Sequence, residues 1–153
     1  MDSSGKRATK TGKSFEKFIQ NRLSENGYEF IDIDHFIPAT YNEQSIYTKQ
    51  LIIGKSIYGK DLKVDYVIYH PEKHPNCLII ESKWQQIKGS TDKKFPYIVM
   101  NIKQKYPYPA IVVLGGKGFK PEAENWLKNQ VGGNLKHVFD MVEFHTWVNN
   151  GGI

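Results

Sequence analysis

The sequence predicts an α/β fold in which a central mixed β-sheet is flanked by α-helices. Three features carry that expectation. Two strand-like runs, Leu62 to Tyr69 and Cys77 to Lys83, are joined by a short polar stretch with two prolines, as in an antiparallel hairpin. A later run, Ala110 to Leu114, is apolar throughout, as a strand buried on both faces must be. Helical periodicity precedes, separates and follows these runs, which places helices against the sheet. No GxGxxG turn follows a strand, so a doubly wound dinucleotide-binding domain is not indicated.

Along the chain, Met1 to Gly12 is small, polar and basic and reads as a flexible arm, either a plain mobile terminus or one that lies along a phosphate backbone. Residues 13–153 read as one domain. Phe15, Phe18, Ile19 and Leu23 recur at helical spacing between Ser14, a candidate N-cap, and Gly27, a candidate stop. Tyr28 to Ile33 suits a short strand, and Gln44 to Gly59 carries the β-branched and aromatic residues of one or two more. Beyond the hairpin, Phe95, Ile98, Val99 and Ile102 predict a second helix with Pro96 in its first turn. A third helix is expected from Pro121 to Gln130, and Lys136 to Val148 should add a strand and a short terminal helix.

The chain has 153 residues and a net charge of +5, which favours polyanionic partners. Arg occurs only at positions 7 and 22, so nearly all 21 basic residues are Lys, suited to phosphate contacts more than to forked base contacts. A single cysteine, Cys77, excludes an internal disulfide framework and fits a reducing compartment, where it would be a small buried apolar residue. With no apolar run long enough to cross a bilayer, the expected location is the cytoplasm, with no membrane partner.

Charges inside the hairpin need a reason. Asp65 lies among Val64, Tyr66, Val67 and Ile68, while Glu81 and Lys83 end the run Leu78 to Lys83. Alternation puts Glu81 and Lys83 on one face. Positions 65 and 81 are equidistant from residue 73, the middle of the His70 to Asn76 loop, so Asp65 should oppose Glu81 with Cβ atoms ~5 Å apart. Two carboxylates that close repel unless a positive charge joins them, and a divalent cation such as Mg²⁺, for which Mn²⁺ often substitutes, does so while keeping waters for a phosphate. Lys83 is then placed to act on an attacking water or on the charge that builds at phosphorus. A solvated Glu-x-Lys salt-bridge face is the plain alternative, and the apolar flanks argue against it.

Asp65 followed by Glu81-Ser82-Lys83 across a hairpin resembles the PD-(D/E)XK nuclease superfamily, with its restriction-endonuclease-like fold. The segment from Gly12 to Tyr28 is similar to that family's opening helix. The resemblance implies Asp65 and Glu81 as metal ligands, the Ser82 carbonyl as a further ligand, Lys83 as the catalytic lysine and Glu16 as an accessory acid. Gln85, or its neighbour Gln86, would match the glutamine that often follows the lysine. Val64 stands where the family often has proline.

Other basic residues are candidates for DNA contact. Lys88, Lys93, Lys94, Lys103 and Lys105, interleaved with Trp84, Phe95, Tyr97 and Tyr106, would form a cleft wall or, alternatively, a solvated face over core aromatics. Lys117, in the turn Gly115-Gly116-Lys117-Gly118, would meet a phosphate or simply turn the chain. The histidines lack metal-site spacing, and no GxSxG elbow marks a nucleophile. The expected activity is a Mg²⁺-dependent DNA endonuclease, site-specific on duplex and working as a homodimer or higher oligomer. The alternatives are a structure-specific nuclease of the junction-resolvase kind, a phage-type homing endonuclease, and a DNA-binding module that does not cut.

Overall fold

The computed structural model describes residues 3–153, with side chains described from residue 12 onward. Six strands form one mixed sheet in the order β1 (Glu29–Phe30), β2 (Ile46–Lys55), β3 (Asp61–His70), β4 (His74–Trp84), β5 (Ala110–Gly115) and β6 (Leu135–Asp140). The β2-β3 and β3-β4 pairs are antiparallel, and the β1-β2, β4-β5 and β5-β6 pairs are parallel. Helices α1 (Ser3–Glu25) and α4 (Met141–Asn149) cover one face, where Phe15, Ile19, Leu23, Phe144 and Val148 pack on Tyr66, Ile68, Leu78 and Ile80. Helices α2 (Phe95–Gln104) and α3 (Pro121–Lys128) cover the other, with Phe95, Val99, Ile102 and Leu127 on Val67, Ile79 and Val112. This is the mixed sheet flanked by helices that the hydrophobic periods predict.

Strand β5 is buried over its whole length, as its unbroken apolar run requires. Pro96 sits in the first turn of α2, where its missing N–H costs nothing. Helix α4 is started by a capping box, in which the Asp140 side chain accepts from Glu143 N and the Glu143 side chain accepts from Asp140 N.

Three boundaries differ from expectation. Helix α1 begins at Ser3 rather than after Ser14, so it takes in most of the stretch read as an arm; Met1 and Asp2 lie outside the described residues. Those early turns are polar and carry no apolar period from which a helix is read. The strand expected at Tyr28 to Ile33 is only two residues long, because the chain turns off the sheet at Asp32 and runs through short 3-10 turns at Ile33–His35 and Pro38–Thr40. Strand β4 starts at His74, inside the expected loop. His70 pairs with His74 across the tight turn, and the register then shifts before Ile68 meets Leu78. Cys77, with φ of 71°, sits in the bulge that absorbs the difference. It is buried as expected, and burial pushes its thiol up to about 11.

Above the bulge the register is the expected one. Ile68 pairs Leu78, Val67 pairs Ile79 and Tyr66 pairs Ile80, which brings Asp65 and Glu81 next. Regular pairing stops there, while β3 goes on pairing β2 down to Asp61. The β2-β3 hairpin therefore projects past the point where β3 and β4 part. The C-terminal ends of β4 and β5 lie at that same end of the sheet.

Candidate active site

The parting of β3 and β4 removes the backbone partners of the residues beyond Tyr66 and Ile80, and side chains take their place. Asp65 N donates to Glu81 Oε1 at 3.1 Å. Ser82 N donates to Asp65 Oδ2 at 2.8 Å, and Ser82 Oγ lies 3.3 Å from the same oxygen. The strand pair is thus stitched across its opening by the two carboxylates. A kink accompanies it: Val64 joins the core under α2, while Tyr66, two residues on, joins the core under α1. A regular strand would put both on one face.

Glu81 follows Ile79 onto the α2 side and is 4% exposed. Lys83 Nζ stands 3.4 Å from Glu81 Oε2 and 3.9 Å from Asp65 Oδ2, its side chain a quarter exposed, so one ammonium faces both acids. Burial pushes the Glu81 carboxyl from 4.5 up to about 7, and the charge of Asp65 adds to the rise. Lys83 and the Asp65 N–H pull the other way without cancelling it. A single lysine therefore undercompensates the pair.

The donor set suits a hard divalent cation. Two carboxylates converge at a partly open edge; among the described residues no group of three or more His, Cys, Asp or Glu is placed to hold a metal ion. A hard divalent cation can be held by one or two carboxylates with waters in its remaining positions. The Ser82 carbonyl shares the strand edge of its N–H and so faces the same opening.

Asp65, Glu81, Ser82 and Lys83 are brought together as the hairpin register predicts. Glu16 forms no hydrogen bond or ion pair with them among the described residues. It is exposed on α1, against the opposite face of the sheet. Its charge and that of Asp65 both act on the Tyr66 phenol, which burial holds well above its ordinary range. Gln85 is not at the carboxylates either. Strand β4 ends at Trp84, the chain turns, and the buried Gln85 amide spans the neighbouring loops: Nε2 donates to the Gly118 carbonyl at 2.8 Å and Oε1 accepts from Thr91 N at 2.9 Å. Both ends of the amide are engaged, so its structural task is to join the loop after β4 to the turn after β5. Gln86, the other candidate, is exposed.

That turn is tightly built. Gly118 N donates to the Gln85 carbonyl at 2.7 Å, and a Cβ at Gly116 would collide with the same carbonyl. Lys88, Lys93, Lys94 and Lys117 all stand exposed on these two joined segments, and among the described residues none has an ion-pair partner.

Two residues that the sequence reading did not assign to the site border it. Gln50 Nε2 lies 3.4 Å from Asp65 Oδ1. Tyr106 packs against the α2-side core, and its phenol is held above its ordinary range by burial first and then by the charges of Glu81 and Asp65. Tyr106 carries a weak signal as an aromatic among the lysines after β4; Gln50 carries none.

A mixed sheet that opens between two antiparallel strands to seat an acidic pair and a lysine, with helices on both faces, is the frame of a restriction-endonuclease-like domain. A model of the PD-(D/E)XK nuclease superfamily domain matches residues 7–151, nearly the whole chain, and the chain belongs to that superfamily. It is a nuclease domain, which implies a nucleic-acid substrate. No curated protein and no solved structure matches the chain.

Proposed function

We propose that the chain is a Mg²⁺-dependent DNA endonuclease whose catalytic group is Asp65, Glu81 and Lys83, with the Ser82 carbonyl completing the metal site. The convergence of the two carboxylates and the Lys83 ammonium where β3 and β4 part carries this reading. Asp65 and Glu81 would hold the cation. When bound, it lowers the pKa of a coordinated water and neutralises charge at the scissile phosphate. Glu81, balanced near neutrality by its burial, gains a partner for its ionised form. Lys83, whose ammonium stands beside both carboxylates, would donate to the attacking water or to a non-bridging phosphate oxygen.

The substrate reading follows from charge. Lys88, Lys93, Lys94 and Lys117 line the loops beyond β4 and β5, and Lys55, Lys60 and Lys63 lie on the projecting β2-β3 hairpin. Lys55 is neutralised by Asp61, so the hairpin contributes Lys60 and Lys63. A duplex backbone laid across the open edge would meet lysines from both sides.

Incubation of the purified chain with supercoiled plasmid, linear duplex and four-way junctions, in Mg²⁺ or EDTA, tests the proposal beside Asp65→Asn and Lys83→Ala. Mg²⁺-dependent strand scission lost in both folded variants supports it. DNA binding without cleavage of any substrate would leave a binding module instead.

Structure-specific cutting has one observation in its favour. Arg22 is committed to Glu25 at 2.7 Å and to His145 at 3.3 Å on the α1-α4 side, which leaves the described basic surface to lysines that read phosphates rather than bases. Junctions cut faster than linear duplex would select this reading, whereas discrete fragments from long duplex would select site-specific cleavage.

A further inference from the structure

Gln50 adopts a conformation that its residue type disfavours. It lies in the middle of β2 with φ of 57°, the left-handed region that Gly and, to a degree, Asn enter and that Gln rarely does. One other described non-glycine residue has a positive φ, Cys77, and there the bulge adjusts the β3-β4 register. Gln50 does no such thing. Lys49 pairs Tyr66 on one side and Leu51 pairs Val64 on the other, so the β2-β3 register is the same before and after it.

The twist turns β2 over in step with the kink of β3, since Tyr47 packs under α1 whereas Leu51 and Ile53 pack under α2. The residue opposite Gln50 is Asp65, at the kink of β3, and Gln50 Nε2 reaches Asp65 Oδ1 at 3.4 Å. The other carboxylate oxygen, Oδ2, is held from β4 by Ser82. Asp65, on the middle strand, is thereby tethered through one oxygen to each neighbouring strand, and the plane of its carboxylate is fixed. The left-handed residue that turns β2 over also aims its amide at the Asp65 carboxylate.

We infer that Gln50 is a positioning residue of the nuclease site: its amide, directed by the left-handed backbone, fixes the orientation in which the Asp65 carboxylate meets a divalent cation. The inference rests on the metal-site reading proposed above. The long hydrogen bond is in keeping with a site that tightens on loading.

Direct Mn²⁺ binding to the full chain without DNA, followed by the electron paramagnetic resonance of the free ion, tests it in Gln50→Ala, Gln50→Gly and Asp65→Asn. Loss of an outer partner of a metal-ligating carboxylate weakens binding by ~10-fold or more. Both Gln50 variants should show that loss, and their Mg²⁺ requirement for cleavage should rise in step while KM for DNA stays put. Gln50→Gly should melt at or above the wild-type temperature, because glycine takes this φ freely, so its weakened metal binding cannot be charged to misfolding. Wild-type Mn²⁺ affinity in Gln50→Gly overturns the inference, including the case in which Gln50→Ala alone is impaired, since backbone strain would then be the cause. Loss in Asp65→Asn with both Gln50 variants intact overturns the Gln50 role alone. Unchanged binding in all three variants overturns the metal site itself, and the Gln50 role with it.

Discussion

Asp65 and Glu81 are joined across the opening of their strands by a backbone-to-side-chain bond, Asp65 N to Glu81 Oε1 at 3.1 Å, and the joined carboxylates face one ammonium. Glu81 is the more buried partner, and its carboxyl is raised to about 7 by burial and by the charge of Asp65. The folded-state pKa lies above the unfolded value near 4.5, so the stability contributed by protonated Glu81 is full below the unfolded pKa and is lost as pH rises through 7. Metal-free protein should therefore lose on the order of 3 kcal/mol from this group between about pH 4.5 and 8. Urea denaturation at several pH values measures the slope. Glu81→Gln should flatten it, and an unchanged slope in that variant would assign the dependence to another group.

Cation binding at the proposed site would displace the same proton. At pH 6, below the raised pKa of Glu81, Mg²⁺ binding should release close to one proton, and at pH 8.5 close to none. Calorimetric titration in buffers of different ionisation enthalpy counts the protons. A release that does not change with pH would mean that Glu81 is already ionised before the metal arrives.

Activity should fall unevenly across the three charged residues. Asp65→Asn and Glu81→Gln each remove a metal-ligand charge from the proposed site, whereas Lys83→Ala removes a donor that would act on the water or phosphate and spares both carboxylates. Single-turnover cleavage should drop by about 10²–10³ in Lys83→Ala, the loss typical of one preorganised electrostatic donor. Raising Mg²⁺ should rescue part of the loss in the carboxylate variants and none of it in Lys83→Ala. Rescue of Lys83→Ala by metal would place the lysine in metal binding.

The acidic pair was legible in the sequence because its register depends on counting from where regular pairing begins. Tyr66 opposite Ile80 follows from the two apolar runs, and the chain reaches that register through a tighter turn, with His70 paired to His74, and a bulge at Cys77 that shifts the pairing back to the expected one. The layers were legible for a related reason, since apolar periods state which face is buried. Gln85, which the resemblance set near the lysine, does not reach the carboxylates because β4 ends one residue earlier, at Trp84, and the chain turns away. Gln50 was invisible because a left-handed residue in a polar stretch leaves no trace in composition or period. The start of α1 was missed because its first turns have no apolar stripe to announce them.

The joint between the two basic loops is brittle. Gly116 has φ of 91° and lies against the Gln85 carbonyl, so a methyl group there meets unyielding backbone as well as a disfavoured conformation. Gly116→Ala should destabilise the fold by roughly 2–4 kcal/mol, at the upper end of single-site effects. Gln85→Ala should cost about 2–3 kcal/mol, because it strips partners from the Gly118 carbonyl and Thr91 N–H. Thermal melts read both values. A Gln85→Ala protein that melts as wild type yet binds Mg²⁺ poorly would return Gln85 to the metal site.

Lys88, Lys93, Lys94 and Lys117 offer the most direct test of how DNA lies on the domain. All four are exposed on segments held together by the Gln85 bridge, and none is neutralised by a described acid. If each contacts a duplex phosphate, its replacement by alanine lowers the slope of log K against log salt concentration by about 0.9 and weakens binding alike on unrelated sequences. The variants should keep their melting temperatures, since the side chains are solvated. Lys55→Ala is the internal control: its charge is already paired with Asp61, so the slope should hardly move. Fluorescence anisotropy over a series of KCl concentrations measures each slope. A fall at Lys88 and Lys117 without one at Lys93 and Lys94 would run the backbone along the strand-end loops and away from the start of α2. A fall at all four would carry it across both.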